Sequence, residues 1–325
     1  MLVTRRPGRR LSTARVLLAT LATLGVAATA CATTIDGNGT PGPLASRSPG
    51  APASATASAA PRKPVQVSTV QGDNQTYGVG EPIIARFNPA PTDASAFVKA
   101  TTVMVDGEPA TGGWYWERPY ADGPIEAHYR TQDFWPAHSR IHVDMPIKGL
   151  SAGPGLEYVD SLTLDFSIGA KHVSTVDGQS LQMVVTSDGE VEKTIAVSLG
   201  KANTPTYNGT KVVMEKRNPQ RMIGDGRSGP SSVYDELVPW SVRVTLDGEF
   251  IHAAPWNSRI GQVSTSNGCT NLQTADAGWF YKFSQLGDVV TYSGSSGGTM
   301  PVVDGLGDWN LGWEEWKAGG LLAKR

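Results

Sequence analysis

Short runs in which apolar and polar residues alternate, broken every few positions by turn residues, occupy the chain from Val65 onward. Alternation with period two is the pattern of a half-buried strand, because successive side chains point to opposite faces. The clearest runs in the first part are residues 83–87, 101–105, 140–145 and 162–166. Asp106-Gly107 and Asp122-Gly123 supply turns between them, since both residue types tolerate the backbone angles of a tight reversal. Gly113-Trp114-Tyr115-Trp116 brings bulky aromatics to fill a core. Residues 65–169 are therefore expected to form an immunoglobulin-like β-sandwich. They contain no cysteine pair, which separates them from an antibody-type domain.

A second strand series begins near Lys171. Residues 180–186 run through the turn 187–190 into 193–198, a hairpin pattern. Residues 242–245 and 250–251 flank another turn, Asp247-Gly248. One helix is expected, over 274–286, with Thr274 as its cap and Ala277, Phe280, Tyr281 and Leu286 on one face. Gly287 ends it before a strand over 289–292. With 37 glycines and 22 prolines and little other helical periodicity, the whole reads as mainly β. The expected division is 65–169 for the sandwich, 170–296 for a second β-rich domain with a short helix, and 297–325 for a C-terminal extension packed on the domains.

The N-terminal part has a different character. Arg5, Arg6, Arg9 and Arg10 precede a mostly apolar run over 16–30, short of the ~20 residues a transmembrane helix needs. Residues 1–31 read as an export signal. Ala28-Thr29-Ala30 suits ordinary signal cleavage, while the same site before Cys31 resembles a lipobox in which that cysteine carries lipid. A lipoprotein on the outer face of the cytoplasmic membrane, a secreted protein and an uncleaved anchor all remain open. Arg5-Arg6 leaves the choice between general and twin-arginine export open as well. Residues 32–64 are Ala, Ser, Pro, Thr and Gly with almost no large apolar side chain, a composition that cannot offset its ordering entropy and serves as a tether. Lysine and arginine number 28 against 30 acidic residues, so there is no electrostatic footprint for nucleic acid.

Chemistry concentrates in the second domain. If Cys31 is lipidated, Cys269 is the one thiol left in the folded part, without a disulfide partner. It follows Gly268, which allows a sharp turn and leaves backbone N–H groups of Gly268, Cys269 or Thr270 available to an oxyanion. His252 closes an expected strand, a firm platform for a general base. On spacing alone, a buried structural cysteine beside an unrelated histidine fits equally well. The remaining histidines, His128, His138, His142 and His172, lack metal-ligand spacing and are expected to be exposed or hydrogen-bonded structural residues. No metal or cofactor is called for.

The segments Phe250-Ile251-His252-Ala253-Ala254-Pro255-Trp256 and Ser266-Asn267-Gly268-Cys269-Thr270-Asn271-Leu272 resemble the signature of the L,D-transpeptidases of the YkuD fold. The tail, with Gly297-Gly298-Thr299-Met300-Pro301, 304–310 and Trp313-Glu314-Glu315-Trp316, resembles the C-terminal extension of their actinobacterial subgroup, which also carries immunoglobulin-like domains. The resemblance implies that Cys269 attacks the bond between the third and fourth residues of a peptidoglycan stem tetrapeptide. D-Alanine leaves, and the thioester passes to a diaminopimelate amine of a second stem, giving a 3→3 cross-link. It further implies that His252 is the base, oriented by the backbone carbonyl of Ala253, with Gly268 offering an oxyanion N–H. Tyr234, Met222, Trp256, Asn267, Asn271, Ser266 and Thr270 are the implied substrate contacts, and carbapenem β-lactams the implied inhibitors. Residues 217–232, rich in Gly, Pro, Ser and Arg and without a strand pattern, are expected to form a lid. Within it Arg217, Arg221 and Arg227 are available to substrate carboxylates, or equally to solvent. Trp240 sits where the family has an aromatic, and Trp309, Trp313 and Trp316 are expected to pin the tail.

One position departs from the family pattern: Asn267 stands where a histidine usually precedes Gly-Cys. Asparagine offers similar hydrogen bonds but carries no proton charge, so an active enzyme with altered acceptor or β-lactam reactivity is expected. Two other readings share the motif. An L,D-carboxypeptidase passes the same acyl group to water, and a degenerate lipoprotein binds the wall without chemistry. A papain-like peptidase fits poorly, because there the cysteine precedes its histidine.

Overall fold

The computed structural model describes residues 61–120, 123–226 and 233–323. The expected signal, Cys31 and most of the tether lie outside them, as do Asp122 and Arg227 of the turn and lid. No helix among the described residues is long and apolar enough to cross a membrane.

The first domain is a two-sheet sandwich. One sheet orders its strands Gly112–Glu117, Glu126–Thr131, Ile83–Asn88, Lys63–Thr69, Leu156–Tyr158 and Ser151–Gly153. The other runs Thr76–Tyr77, Leu162–Ile168, Arg140–Met145, Thr102–Val105 and Glu108–Pro109. The strand spacing read from the sequence is met, and Asp106-Gly107 makes the expected reversal with both residues at positive φ. Between the sheets Phe87, Phe97, Trp114, Trp116, Trp135, Val143, Met145, Tyr158 and Phe166 share one core. Phe87 stacks on Trp116 at 5.1 Å, and Phe97 meets Trp114 edge-on at 4.9 Å, contacts that add to the area term of aromatic burial.

The second domain builds a five-stranded sheet, Glu190–Ala196, Gln182–Ser187, His172–Asp177, Val289–Ser293 and Gly209–Val212, and a four-stranded one, Glu215–Arg217, Ser241–Arg243, Phe250–Ala253 and Thr270–Leu272. The helix is shorter than the sequence suggests. It spans Thr274–Phe283, and Gln273 rather than Thr274 stands at its N-cap position, without a side-chain cap. Ala277 and Phe280 are buried against Ile251, Ala253 and Leu272, while Leu286 lies beyond the helix and is exposed.

The two domains meet through glycines. Gly78 and Gly80 donate N–H bonds to the carbonyls of Leu286 and Gly287, at 2.7 and 2.9 Å. A Cβ at Gly78 would stand 2.3 Å from backbone atoms of Gly287 and Asp288, so only glycine permits this approach. The C-terminal extension then lies along the sandwich. Trp309 and Trp316 donate their indole N–H groups to Gly80 and Gly113 carbonyls, each at 2.8 Å. The Arg130 guanidinium sits among Trp309, Trp313 and Trp316, 4.4 to 5.4 Å from their ring centres, within cation–π range.

Candidate active site

His252 and Cys269 are set by adjoining parallel strands. Phe250–Ala253 pairs with Thr270–Leu272 so that His252 lies opposite Asn271. His252 therefore projects from the end of a strand whose other residues are core. Cys269 is the residue immediately before the partner strand begins. Gly268 ahead of it takes φ +120°, a conformation that L side chains rarely adopt. The loop is held from several sides. Ser266 Oγ donates to Cys269 O at 2.5 Å and accepts the Gly268 N–H at 3.2 Å. Thr206 Oγ1 donates to Gly268 O at 2.6 Å.

Both reactive groups line a cavity of about 510 Å³. Met222, Tyr234, Trp256, Ser266, Asn267 and Asn271 line it as well, together with Val233, Glu236, Val238, Asn257, Ser258, Arg259 and Thr265. The last seven were not singled out in the sequence. The nearest signal was positional, since Asn257, Ser258 and Arg259 directly follow the His-Ala-Ala-Pro-Trp run, and Asn257 Nδ2 donates to Thr265 Oγ1 at 3.0 Å across that loop. Thr270 does not line the cavity. It is buried, with Oγ1 2.9 Å from the Tyr292 hydroxyl. Trp240 also lies elsewhere, packed on Tyr281 with ring centres 5.5 Å apart. Trp256 is more than half exposed, its ring 6.1 Å from that of His252, so it walls the cavity rather than filling a core.

The lid is where the sequence reading needs correction. In place of a patternless loop, Gln220–Asp225 and Val233–Val238 form a two-stranded antiparallel ribbon. Ile223, Val233 and Leu237 are apolar yet exposed on it, so the sequence shows no alternation of apolar and polar residues. Met222, Tyr234 and Val238 instead pack with Phe250 and Cys269. Arg221 makes two bonds to Asp235, at 2.8 and 2.7 Å, and Arg217 pairs with Glu215. Those two arginines are engaged by the protein's own carboxylates.

Electrostatically the pair is neutral. Burial pulls the His252 imidazole down to about 4, only partly opposed by its bond to the Ala253 backbone. Burial likewise pushes the Cys269 thiol up to about 11, with the backbone N–H groups of Phe250 and of Cys269 itself pulling the other way. His252 Nδ1 lies 2.8 Å from Ala253 O. A carbonyl only accepts, so Nδ1 carries the proton and Nε2 is left as a free base. The thiol donates to Gly248 O at 3.7 Å. The Gly268 N–H is taken by Ser266, and the backbone N–H groups of Phe250 and of Cys269 itself are the donors that act on the sulfur.

The other histidines are all hydrogen-bonded to carboxylates: His138 to Asp188, His142 to Asp165, His172 to Asp288, and His128 to both Asp308 and Glu126. His128 does have acidic neighbours, contrary to the sequence reading: Glu126 lies two residues away on its own strand, Glu117 on the adjoining strand, and only Asp308 comes from a distant part of the chain. Glu117, His128 and Asp308 bring ligand atoms within 4.8 Å of one another, yet both ring nitrogens of His128 are already spent on carboxylates.

Comparison with known proteins gives the same picture. Residues 171–291 match the L,D-transpeptidase catalytic domain, YkuD, and residues 48–151 match a bacterial Ig domain. L,D-transpeptidase 2 of Mycobacterium tuberculosis (strain CDC 1551 / Oshkosh) is 33% identical over 256 residues, covering 78% of this chain and 61% of that protein. L,D-transpeptidase 5 of strain ATCC 25618 / H37Rv is 33% identical over 263 residues, covering 79% and 56%. The chain thus spans about three fifths of the length of these relatives. Among solved structures, LD transpeptidase LdtMt1 in complex with imipenem superposes with a TM-score of 0.59 at 25% identity, over 70% of this chain and 97% of that one. An L,D-transpeptidase from Mycobacterium smegmatis gives 0.58 at 26%, over 71% and 100%. This chain carries a YkuD-type L,D-transpeptidase catalytic domain behind a bacterial immunoglobulin-like domain.

Proposed function

We propose that the chain is a peptidoglycan L,D-transpeptidase that forms 3→3 cross-links through a thioester on Cys269. The observation that carries the mechanism is the His252 Nδ1 to Ala253 O bond of 2.8 Å, in a cavity that also holds Cys269. With Nδ1 protonated, Nε2 takes the thiol proton as sulfur attacks the carbonyl between stem residues three and four. The Cys269 N–H supports the oxyanion that forms. When the tetrahedral adduct collapses, the C–N bond breaks, the imidazolium gives its proton to the departing D-alanine amine, and a thioester remains. The acceptor amine then attacks that thioester. Nε2 takes its proton, the C–S bond breaks, and the proton returns to sulfur.

A neutral pair suits this cycle, since each half-reaction needs a base that starts empty, and the first also starts from a protonated sulfur. Tyr234, Met222 and Trp256 wall the stem peptide, and Asn267, Asn271 and Ser266 supply polar contacts. Thr270 acts from behind the loop through Tyr292. Carbapenems acylate the same sulfur, a reading supported by the likeness to a structure solved with imipenem. Export and a lipid on Cys31 complete the reading, supported by the basic and apolar N-terminal pattern. They place the domains in the cell-wall space.

The test incubates the purified protein with a disaccharide-tetrapeptide and follows products by mass spectrometry beside Cys269→Ala. A cross-linked dimer that requires the cysteine is expected. Tripeptide without dimer means water is the acceptor and the enzyme is a carboxypeptidase. No turnover reduces the chain to a wall-binding protein.

A further inference from the structure

A buried ion pair lies beneath the nucleophile loop, and neither partner lines the cavity. Lys211, on strand Gly209–Val212, is fully buried, and its ammonium donates to the carboxylate of Glu249, which is nearly so. Lys211 Nζ stands 3.8 Å from the centre of the Tyr292 ring, and the Tyr292 hydroxyl meets Thr270, the residue after the nucleophile. The other Glu249 oxygen accepts the Tyr207 N–H at 2.8 Å. The same side chain sits directly under the residue before the nucleophile. A Cβ at Gly268 would lie 3.8 Å from both Glu249 Cγ and Oε1. Gly248, adjoining Glu249, presents the carbonyl that receives the thiol. The pair therefore adjoins the residues on both sides of the nucleophile, Gly268 and, through Tyr292, Thr270.

Burying two charges is costly, and apolar residues of like volume commonly serve stability as well or better. Stability alone gives no reason to place a charge pair here. We propose that Lys211 and Glu249 are positioning residues that poise the Cys269 thiol for proton loss, the ammonium favouring the thiolate and the carboxylate opposing it. At rest the carboxylate offsets the ammonium, and the cation stands ready for the charge that develops when His252 takes the proton. The inference rests on Cys269 being the nucleophile of the proposed reaction.

Among the described residues, the charged and titratable groups around that sulfur and the pair come from four elements. They are His252 and Glu249 at strand Phe250–Ala253, Lys211, Tyr292 on strand Val289–Ser293, and Asp304 of the C-terminal extension acting on the pair. After burial and the Phe250 backbone, Glu249 lifts the thiol and Lys211 lowers it. Asp304 raises both members of the pair, and its carboxylate accepts the Asp247 N–H at 2.7 Å, so the tail steadies the turn that carries Gly248 and Glu249.

The test titrates Cys269 by its alkylation rate with iodoacetamide against pH on the full chain, reading the Cys269 peptide by mass spectrometry so that Cys31 does not contribute. Glu249→Gln leaves the ammonium unopposed. It should lower the midpoint and speed alkylation at neutral pH by about tenfold, as a shift of one pKa unit does. Lys211→Met should raise the midpoint and slow alkylation by about the same factor. Both break the same bond, so a merely structural role would move both variants in one direction or neither, and either result overturns the inference. Should the single variants not fold, Lys211→Met combined with Glu249→Leu leaves no lone charge inside. Its alkylation rate should stay within about threefold of the parent, because the two opposed effects vanish together. A tenfold change in that variant overturns the inference. No peptidoglycan substrate enters this assay, so a failed cross-linking test and a failed titration are separate outcomes.

Discussion

Two histidines in this protein are almost equally hidden from water, yet one is neutral and the other charged. His252 is 4% exposed and His128 1%. For both, burial is the largest influence and acts to strip the proton. At His252 the opposing partner is a backbone carbonyl, too weak to compete, and the ring stays neutral. At His128 the Asp308 charge and hydrogen bond, the Glu126 bond and the Glu117 charge overcome burial and hold the ring protonated. Burial depth alone therefore says little about a histidine's role, and the formal charge of its neighbours decides it. His252, the proposed base, is given an uncharged partner. A residue that must hold the C-terminal extension to the sandwich is given carboxylates from both, with Asp308 2.8 Å from Nδ1 and Glu126 3.1 Å from Nε2.

The sharpest way to break the comparison is to remove the chemistry from one site and leave the other whole. Cys269→Ala should abolish turnover, on the order of 10⁶-fold as for other nucleophile deletions, with the unfolding midpoint little changed. His252→Ala should lower acylation by about 10²–10⁴-fold, again without releasing the tail. A stopped assay of dimer formation beside a thermal melt reads both. Residual turnover above a few per cent in Cys269→Ala would remove the cysteine from the mechanism.

The reverse experiment removes the cation from the latch. His128→Asn leaves Asp308 and Glu126 buried without their partner, and breaking a buried pair in this way costs about 3–5 kcal/mol. A loss of roughly 10 °C in melting temperature is expected for a chain of this size. The effect on chemistry should be no more than the lowered stability explains. Calorimetry of the variant beside the parent settles the size.

The two histidines also predict pH dependences of opposite sign. His252 is depressed to about 4 in the folded protein, below the ~6.5 of an unfolded chain. The unfolded state thus binds the extra proton between those values. Stability owed to a neutral His252 is intact above 6.5 and declines towards pH 4 by roughly 3 kcal/mol. His128 is raised, so its contribution is complete below about 6.5 and is lost as pH climbs through its folded value. Denaturant midpoints from pH 4 to 9 should show His252→Gln flattening the acid limb and His128→Gln flattening the alkaline limb. Identical profiles for the two variants would overturn the assignment of one neutral and one protonated ring.

The sequence carried the strands of both domains because burial on one face writes alternation into them, as at 140–145, where Ile141, Val143 and Met145 all point inward. Cys269, His252 and the Ala253 carbonyl were legible through a local motif. The lid ribbon was not, because Ile223, Val233 and Leu237 are apolar yet exposed on it and mask the buried side of Met222 and Val238. Nor was the His128 latch legible, since Asp308 lies far along the chain and only the fold brings them together. Lys211 escaped for a third reason: a lysine in a strand reads as a solvent-facing residue, and nothing local announces Glu249 beneath it.

The smallest effect concerns the residue before Gly268. Asn267 lines the cavity, and its Oδ1 accepts a bond from the Lys201 ammonium at 2.6 Å. A histidine introduced there would face the same ammonium, and a second positive charge beside it is disfavoured. The new ring should therefore stay neutral near pH 7 and accept from Lys201 as the asparagine does. It then brings only its dipole to the nucleophile loop, not a full charge. Asn267→His should accordingly lower the Cys269 alkylation midpoint by less than about one unit and quicken acylation by a carbapenem less than about tenfold. Both are measurable on the intact protein by mass spectrometry of the Cys269 peptide. A midpoint and an acylation rate both unchanged would mean that residue 267 only shapes the loop, and that the thiol is tuned from beneath, by Lys211 and Glu249.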